Sequence, residues 1–180
     1  MITTKEKQDK VYESMKGEFG YKSKLAAPRL TKVMVSVATG SKMKVDKHRN
    51  DFVIDRITKI AGQKATTRSA KKSIAAFKVR EGDKVGVVVT LRGKRMFAFL
   101  DKLFSIALPR TKDFRGLKIG AVDSIGNMTI GIKEHTIFPE IKDEELKDVF
   151  GFAITLVTTA KTKKEATQFF KLLEVPFKKD

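Results

Sequence analysis

Histidine, carboxylate, hydroxyl and thiol groups carry most protein catalysis, and this chain of 180 residues offers few of them in a useful pattern. It has no cysteine, which excludes disulfide frameworks, thiolate metal sites and cysteine nucleophiles. Its two histidines, His48 and His135, lie far apart in sequence, so a multi-histidine zinc site is not expected. His135, in Lys133-Glu134-His135-Thr136 at a strand end, reads as an ordinary packed or surface histidine. His48 sits between Lys47 and Arg49, a setting for a solvated or phosphate-facing imidazole rather than a general base. Glu134 and Glu140 invite an acid–base reading, but nothing sets their separation, and Asp143-Glu144-Glu145 reads as a solvated helical face. There is no G-x-S-x-G, G-x-G-x-x-G or G-x-x-x-x-G-K-[ST] run. No catalytic residue, metal ligand or cofactor is therefore assigned, and an enzyme such as a nuclease is the weaker reading.

The chemistry these residues do support is the binding of a polyanion. Lys and Arg total 38 against 21 Asp and Glu, a formal charge of +17. The excess is uneven. Residues 61–120 hold 15 basic and 4 acidic residues, while residues 121–180 hold 9 and 10. A field concentrated on part of a chain is what long-range attraction to phosphate requires. Three clusters stand out. Arg68, Lys71, Lys72, Lys78, Arg80 and Lys84 surround Phe77, whose ring is placed to stack on a base or ribose or to pack beneath its own loop. Arg92, Lys94 and Arg95 open a helix, where cations oppose the helix dipole and a bound phosphate would offset that. Arg110, Lys112, Arg115 and Lys118 interleave with Phe114. No apolar run is long enough for a membrane span, so no membrane partner is expected. The first residues lack a signal-peptide core, so an intracellular protein is expected.

Hydrophobic spacing predicts the elements that hold these groups. Val11, Met15 and Phe19 recur every four residues and predict a helix from Thr4 to Phe19, with Gly17 and Gly20 as its stop. Val33, Val35 and Val37 alternate with Lys32, Met34 and Ser36, a strand pattern after Pro28. A helix is predicted from near Asp46 to Ala61, closed by Gly62. Residues 63–70 read as a polar strand with little to bury. Val85, Val87, Val89 and Leu91 mark a cleaner strand, with Gly86, Val88, Thr90 and Arg92 on its other side. A helix from Lys94 to Leu108 ends at Pro109. Strands at 128–132 and 152–157 follow, with a short helical turn at 143–149 between them. Thr162-Lys163-Lys164-Glu165 has capping-box spacing and opens a last helix.

The sum is an α+β fold, an antiparallel-rich sheet with helices packed on one face and the other face open. The open face would present Lys32, Met34, Ser36, Thr90 and Arg92, joined by Gln63 or its neighbour. A nearly flat, polar, cationic surface suits an RNA backbone and its 2′-hydroxyls better than a DNA groove, so no DNA partner is expected.

Eight motifs occur in order: Gly62-Gln63-Lys64, Lys71-Lys72-Ser73-Ile74-Ala75, Phe77-Lys78-Val79-Arg80-Glu81-Gly82, Thr90-Leu91-Arg92-Gly93, Ser105-Ile106-Ala107-Leu108-Pro109-Arg110, Asp113-Phe114-Arg115-Gly116, Gly131-Ile132-Lys133-Glu134 and Phe138-Pro139-Glu140-Ile141. From about Tyr21 to Phe177 the chain closely resembles the bacterial form of large-subunit ribosomal protein five, the family that binds 5S ribosomal RNA. The resemblance implies a non-enzymatic constituent of the cytoplasmic large ribosomal subunit. Such a protein docks 5S rRNA into the central protuberance and touches the large-subunit rRNA. It also contacts peptidyl-site tRNA, neighbouring proteins of the protuberance and the small-subunit head.

The expected organisation is one domain over residues 1–180, with halves over about 21–82 and about 83–177 sharing one sheet. Gln63 and Thr90 match the family's contacts to 5S rRNA, and Lys32, Ser36, Arg68, Lys71, Lys72, Arg92 and Lys94 join them as hydroxyl and phosphate-neutralising groups. The tRNA-facing loop corresponds to Ser73, Ile74, Ala75, Ala76, Phe77, Lys78, Val79, Arg80, Glu81 and Gly82. With few apolar anchors, it is expected to be mobile without RNA. Ser36 stands where the family has asparagine, Ala65 replaces a proline, Ala76 a glycine and Met128 a tyrosine. A free-standing RNA chaperone or translational regulator using the same sheet is the alternative.

Overall fold

A computed structural model describes residues 3–40, 48–112, 114–141 and 149–178. Asp46, Asp113, the acidic run Asp143-Glu144-Glu145 and most of the turn expected at 143–149 lie outside the described residues. The helices are α1 (Thr4–Phe19), α2 (Arg49–Ala61), α3 (Gly93–Lys102) and α4 (Lys163–Leu172). The strands are β1 (Leu30–Ala38), β2 (Thr66–Ser69), β3 (Lys84–Leu91), β4 (Met128–Ile132) and β5 (Phe152–Thr158). They form one antiparallel sheet in the order β2-β3-β1-β5-β4, which makes the fold α+β. The alternation read in the sequence is the alternation of burial. Val33, Val35, Val37, Val87, Val89, Leu91, Ile130, Ile154 and Leu156 are buried, and most of the residues between them are not.

The chain divides into two compact units, each assembled from separated stretches. The first comprises residues up to Val33, Arg92–Ile130 and Thr155 onward. In it α1 packs against α3 and α4. Thr3 caps α1 by accepting from the Glu6 N–H, while the Glu6 carboxylate accepts from the Thr3 N–H, satisfying two amides that a helix start leaves unpaired. The helix runs through Gly17 and stops at Gly20. The buried Thr4 donates both its N–H and its hydroxyl to Asp101 Oδ1, at 2.8 and 2.5 Å, tying α1 to α3. The helix predicted over 94–108 is α-helical only to Lys102, and a π-helical turn over Leu103–Ala107 completes it, closed by the Leu108 N–H on Leu103 O.

The capping box expected at α4 is half formed. Thr162 accepts from the Glu165 N–H, but the Glu165 carboxylate accepts from the Lys161 N–H and from the Tyr21 hydroxyl. Burial, reinforced by the Glu165 hydrogen bond and charge, pushes the Tyr21 phenol well above its ordinary pKa.

The second unit comprises Met34–Leu91 and Gly131–Ile154. Here α2 buries Val53, Ile57 and Ile60 and rests on β3 and β2. His135 is packed, one of the two settings its sequence context allows. Its ring stacks on Phe150 with centroids 4.2 Å apart, and its Nδ1 accepts from the Phe150 N–H at 3.4 Å. Phe52 meets both rings edge-on, and the buried Arg49 guanidinium lies 5.5 Å from the Phe52 centroid and 5.9 Å from that of Phe150. The ring is thus enclosed in this cluster and 1 % exposed.

Candidate nucleic-acid interface

The site begins at the end of α2. Gly62 adopts φ +64, a conformation that side-chain-bearing residues rarely hold, and returns its N–H to Thr58 O. The chain then turns, and the half-buried Gln63 donates from Nε2 to the main-chain oxygen of Thr90 at 3.1 Å. Gln63 and Thr90, which the family resemblance pairs as RNA contacts, are thus direct neighbours, and neither lies in the hydrophobic core.

Register places the other groups. β2 pairs with β3 so that Thr66 faces Val88 and Arg68 faces Gly86. Paired residues share a face, and alternate residues along a strand return to it. Thr66, Arg68, Gly86, Val88 and Thr90 therefore share the side away from Val87, Val89 and Leu91. On β1, Met34 and Ser36 alternate with the buried Val35 and Val37 and are half-buried themselves. A recess of about 580 Å³ forms here, lined by Met34, Ser36, Arg68, Gly86, Val88 and Ala153 among others. Its depth depends on Gly86, where a Cβ would sit 3.0 Å from Val37 O, so the absent side chain lets β1 and β3 close. The recess is mostly apolar, with the Ser36 hydroxyl and Arg68 as its polar side chains. The cations of the surface, Arg68, Lys71 and Lys72, are exposed and belong to β2 and the segment after it.

Three predicted contributors, Lys32, Arg92 and Lys94, lie in the first unit. Lys32 is half-buried and alternates with Val33. Arg92 does not line the strand beside Thr90, because β3 ends at Leu91 and Arg92 is the extended N-cap residue of α3. With Lys94 and Arg95 it forms an exposed basic start to α3, whose first turn has no acidic residue. Thr66 is a member of the surface that sequence reasoning misses, as is the pairing of Gly86 with Arg68. The Thr-rich character of 63–70 is the available signal, but facing pairs depend on register, which no local pattern carries.

Between β2 and β3 the chain makes a closed loop. Ala70 closes its base, donating its N–H to Asp83 O and accepting from the Gly82 N–H. Ile74 and Val79 exchange both backbone bonds, at 2.9 and 3.2 Å. The Arg80 N–H donates to Asp83 Oδ2, and the Glu81 N–H to Ser73 Oγ. Lys78 turns the tip with φ 50, a left-handed conformation that disfavours side chains. Ser73 to Lys78, Arg80, Glu81 and Gly82 are exposed, and Val79 is half-buried. Apolar anchoring is sparse, as predicted, while the main chain supplies its own closure. Phe77 is 67 % exposed and Ile74 47 %.

Among the described residues no group of three or more His, Asp or Glu side chains is placed to hold a metal ion, and no helix is long and apolar enough to cross a membrane.

Comparison with known proteins gives a consistent result. The family model described as "Ribosomal protein L5" matches residues 23–80, and the model for the C-terminus of the same ribosomal protein family matches residues 84–177. The protein named large ribosomal subunit protein uL5 from Solidesulfovibrio magneticus is 47 % identical over 171 residues, 95 % of each chain. That from Heliobacterium modesticaldum is 45 % identical over 179 residues, 99 % of each chain. That from Flavobacterium johnsoniae is 44 % identical, covering 97 % of this chain and 95 % of the relative.

Proposed function

The chain belongs to the ribosomal protein L5 family, and on that premise we propose that it is a structural, non-enzymatic component of the cytoplasmic large ribosomal subunit that binds 5S rRNA through its sheet. The observation that carries the reading is the Gln63–Thr90 hydrogen bond, on the strand whose partner β2 contributes Arg68 to a recess that also holds the Ser36 hydroxyl. Ser36, Thr66 and Thr90 each offer a hydroxyl that both donates and accepts, which matches the 2′-hydroxyl of RNA. Gln63 is oriented by its bond to Thr90 O. Arg68, Lys71 and Lys72 at the strand edge, with Lys32, Arg92 and Lys94, neutralise phosphates and give the binding its salt dependence.

In this reading one protein attaches 5S rRNA to the large-subunit rRNA in the central protuberance. The loop from Ser73 to Gly82 reaches peptidyl-site tRNA with Phe77, Lys78 and Arg80, and further surfaces meet neighbouring proteins of the protuberance and the small-subunit head. The test is selection. Purified protein incubated with total cellular RNA at about physiological salt should retain 5S rRNA in preference to bulk tRNA. Equal retention of every RNA would favour a general RNA chaperone and overturn the proposal.

A further inference from the structure

The third basic cluster of the sequence, Arg110, Lys112, Arg115 and Lys118, belongs to no strand of the sheet. It lies in the first unit, on an irregular stretch that follows the π-helical turn. All four side chains are exposed, and among the described residues no carboxylate pairs with any of them. An irregular stretch keeps one shape only where its main chain finds partners. At its ends these are local: Thr111 N–H donates to Leu108 O, and Ala121 N–H to Lys118 O. Between those ends, Leu117 takes both its partners from the end of the chain. Its N–H donates to Pro176 O at 2.7 Å, and its carbonyl accepts from the Lys178 N–H at 2.9 Å, so that Leu117 and Phe177 form a parallel bridge.

The end of the chain is itself anchored. After α4, Glu174 turns the main chain with φ 57, and its carboxylate meets the Lys7 ammonium of α1 at 2.7 Å. Val175 is buried and donates its N–H to Phe170 O. Gly116 lets the two stretches meet. Its φ is +94, and a Cβ there would sit 2.5 Å from the Lys178 nitrogen and 2.7 Å from the Phe177 carbonyl carbon, both main-chain atoms.

We infer that Pro176–Lys178 is a strap that fixes Arg115 and Lys118, on either side of the pinned Gly116-Leu117 pair, as a second phosphate-binding edge that does not belong to the sheet. Gly116 is its positioning residue. Charge sets the partner. Four cations over residues 110–118, against Asp113 alone, suit the phosphates of an RNA backbone. The inference rests on the reading of the chain as an RNA-binding protein.

The full chain is titrated with a short RNA duplex of arbitrary sequence at several salt concentrations, and amide exchange is followed alongside. Arg115→Ala with Lys118→Ala should reduce the slope of log affinity against log salt by about 0.7–0.9 for each phosphate no longer neutralised. Gly116→Ala keeps every charge, yet it should reduce the slope by the same amount and speed exchange of the Leu117 amide. A chain ending at Val175 should do the same, and it carries the test if Gly116→Ala does not fold. Its slope should fall below that of Lys178→Ala with Lys179→Ala, which loses the same two lysines and keeps the strap. A wild-type slope in Gly116→Ala, or in the shortened chain relative to that control, despite faster Leu117 exchange would make the strap merely structural and overturn the inference. A wild-type slope in the Arg115 and Lys118 double variant would overturn it too, since the edge would then hold no phosphate. Failure of the wild-type chain to bind the duplex or 5S rRNA would instead remove the RNA-binding reading itself.

Discussion

Gln63→Ala and Thr90→Val test the sheet surface because the structure separates what each removes. The Gln63 amide bonds to the main-chain oxygen of Thr90, not to its hydroxyl. Thr90→Val therefore keeps that bond, keeps a β-branched residue in β3 and deletes only the hydroxyl. We expect its stability to stay within about 0.5 kcal/mol of wild type. Its affinity for 5S rRNA should fall by about 0.5–1.5 kcal/mol, the net worth of one hydrogen bond, or roughly 2- to 10-fold. Gln63→Ala removes a half-buried hydrogen bond and should lower stability by about 1 kcal/mol. It also removes the polar group facing RNA, so affinity should fall by about 1–2 kcal/mol, or roughly 5- to 30-fold. Both groups are neutral, so the slope of log affinity against log salt should not change in either variant. Filter-binding titrations at several salt concentrations, with urea unfolding alongside, measure all four quantities. A folded double variant that binds 5S rRNA as wild type does would refute the assignment of this face.

Lys71→Ala and Lys72→Ala together should act in the opposite way, weakening binding across RNA sequences and reducing the salt slope by about 0.7–0.9 for each phosphate no longer neutralised. An unchanged slope would show that neither lysine meets a phosphate. Tyr21, whose phenol is held protonated by burial and by Glu165, contributes stability that is complete below about pH 10 and is lost as pH rises beyond it. Unfolding followed between about pH 9 and 11 should thus show a steeper alkaline loss in wild type than in Tyr21→Phe, and parallel curves would contradict the assignment. Asp101→Ala strands the N–H and hydroxyl of the buried Thr4 and should lower stability by about 2 kcal/mol in urea unfolding without altering RNA affinity. A loss under about 0.5 kcal/mol would show that water replaces the carboxylate.

What the sequence determined alone is what local periodicity and composition can carry. The apolar spacing of Val11 and Met15, the alternation of Val33, Val35 and Val37, and Gly20 and Gly62 just past two helix ends located α1, β1 and the close of α2. The absence of cysteine, the uneven charge and the ordered motifs turned the reading away from catalysis and toward RNA. These signals act within a few residues, or need only counting. The tertiary structure decided what depends on groups distant along the chain. Glu165 turns from its own helix cap to a tyrosine 144 residues away. Arg92 leaves the strand that its spacing suggests and caps a helix, and Arg68 comes to face Gly86 through the β2–β3 register. A one-residue slip of that register would carry every side chain of β2 to the opposite face, and its alternation is too weak to forbid one: Thr66, Arg68 and Ser69 are exposed and Thr67 half-buried. Pairing with β3 supplies the choice, and with it the surface proposed to hold RNA.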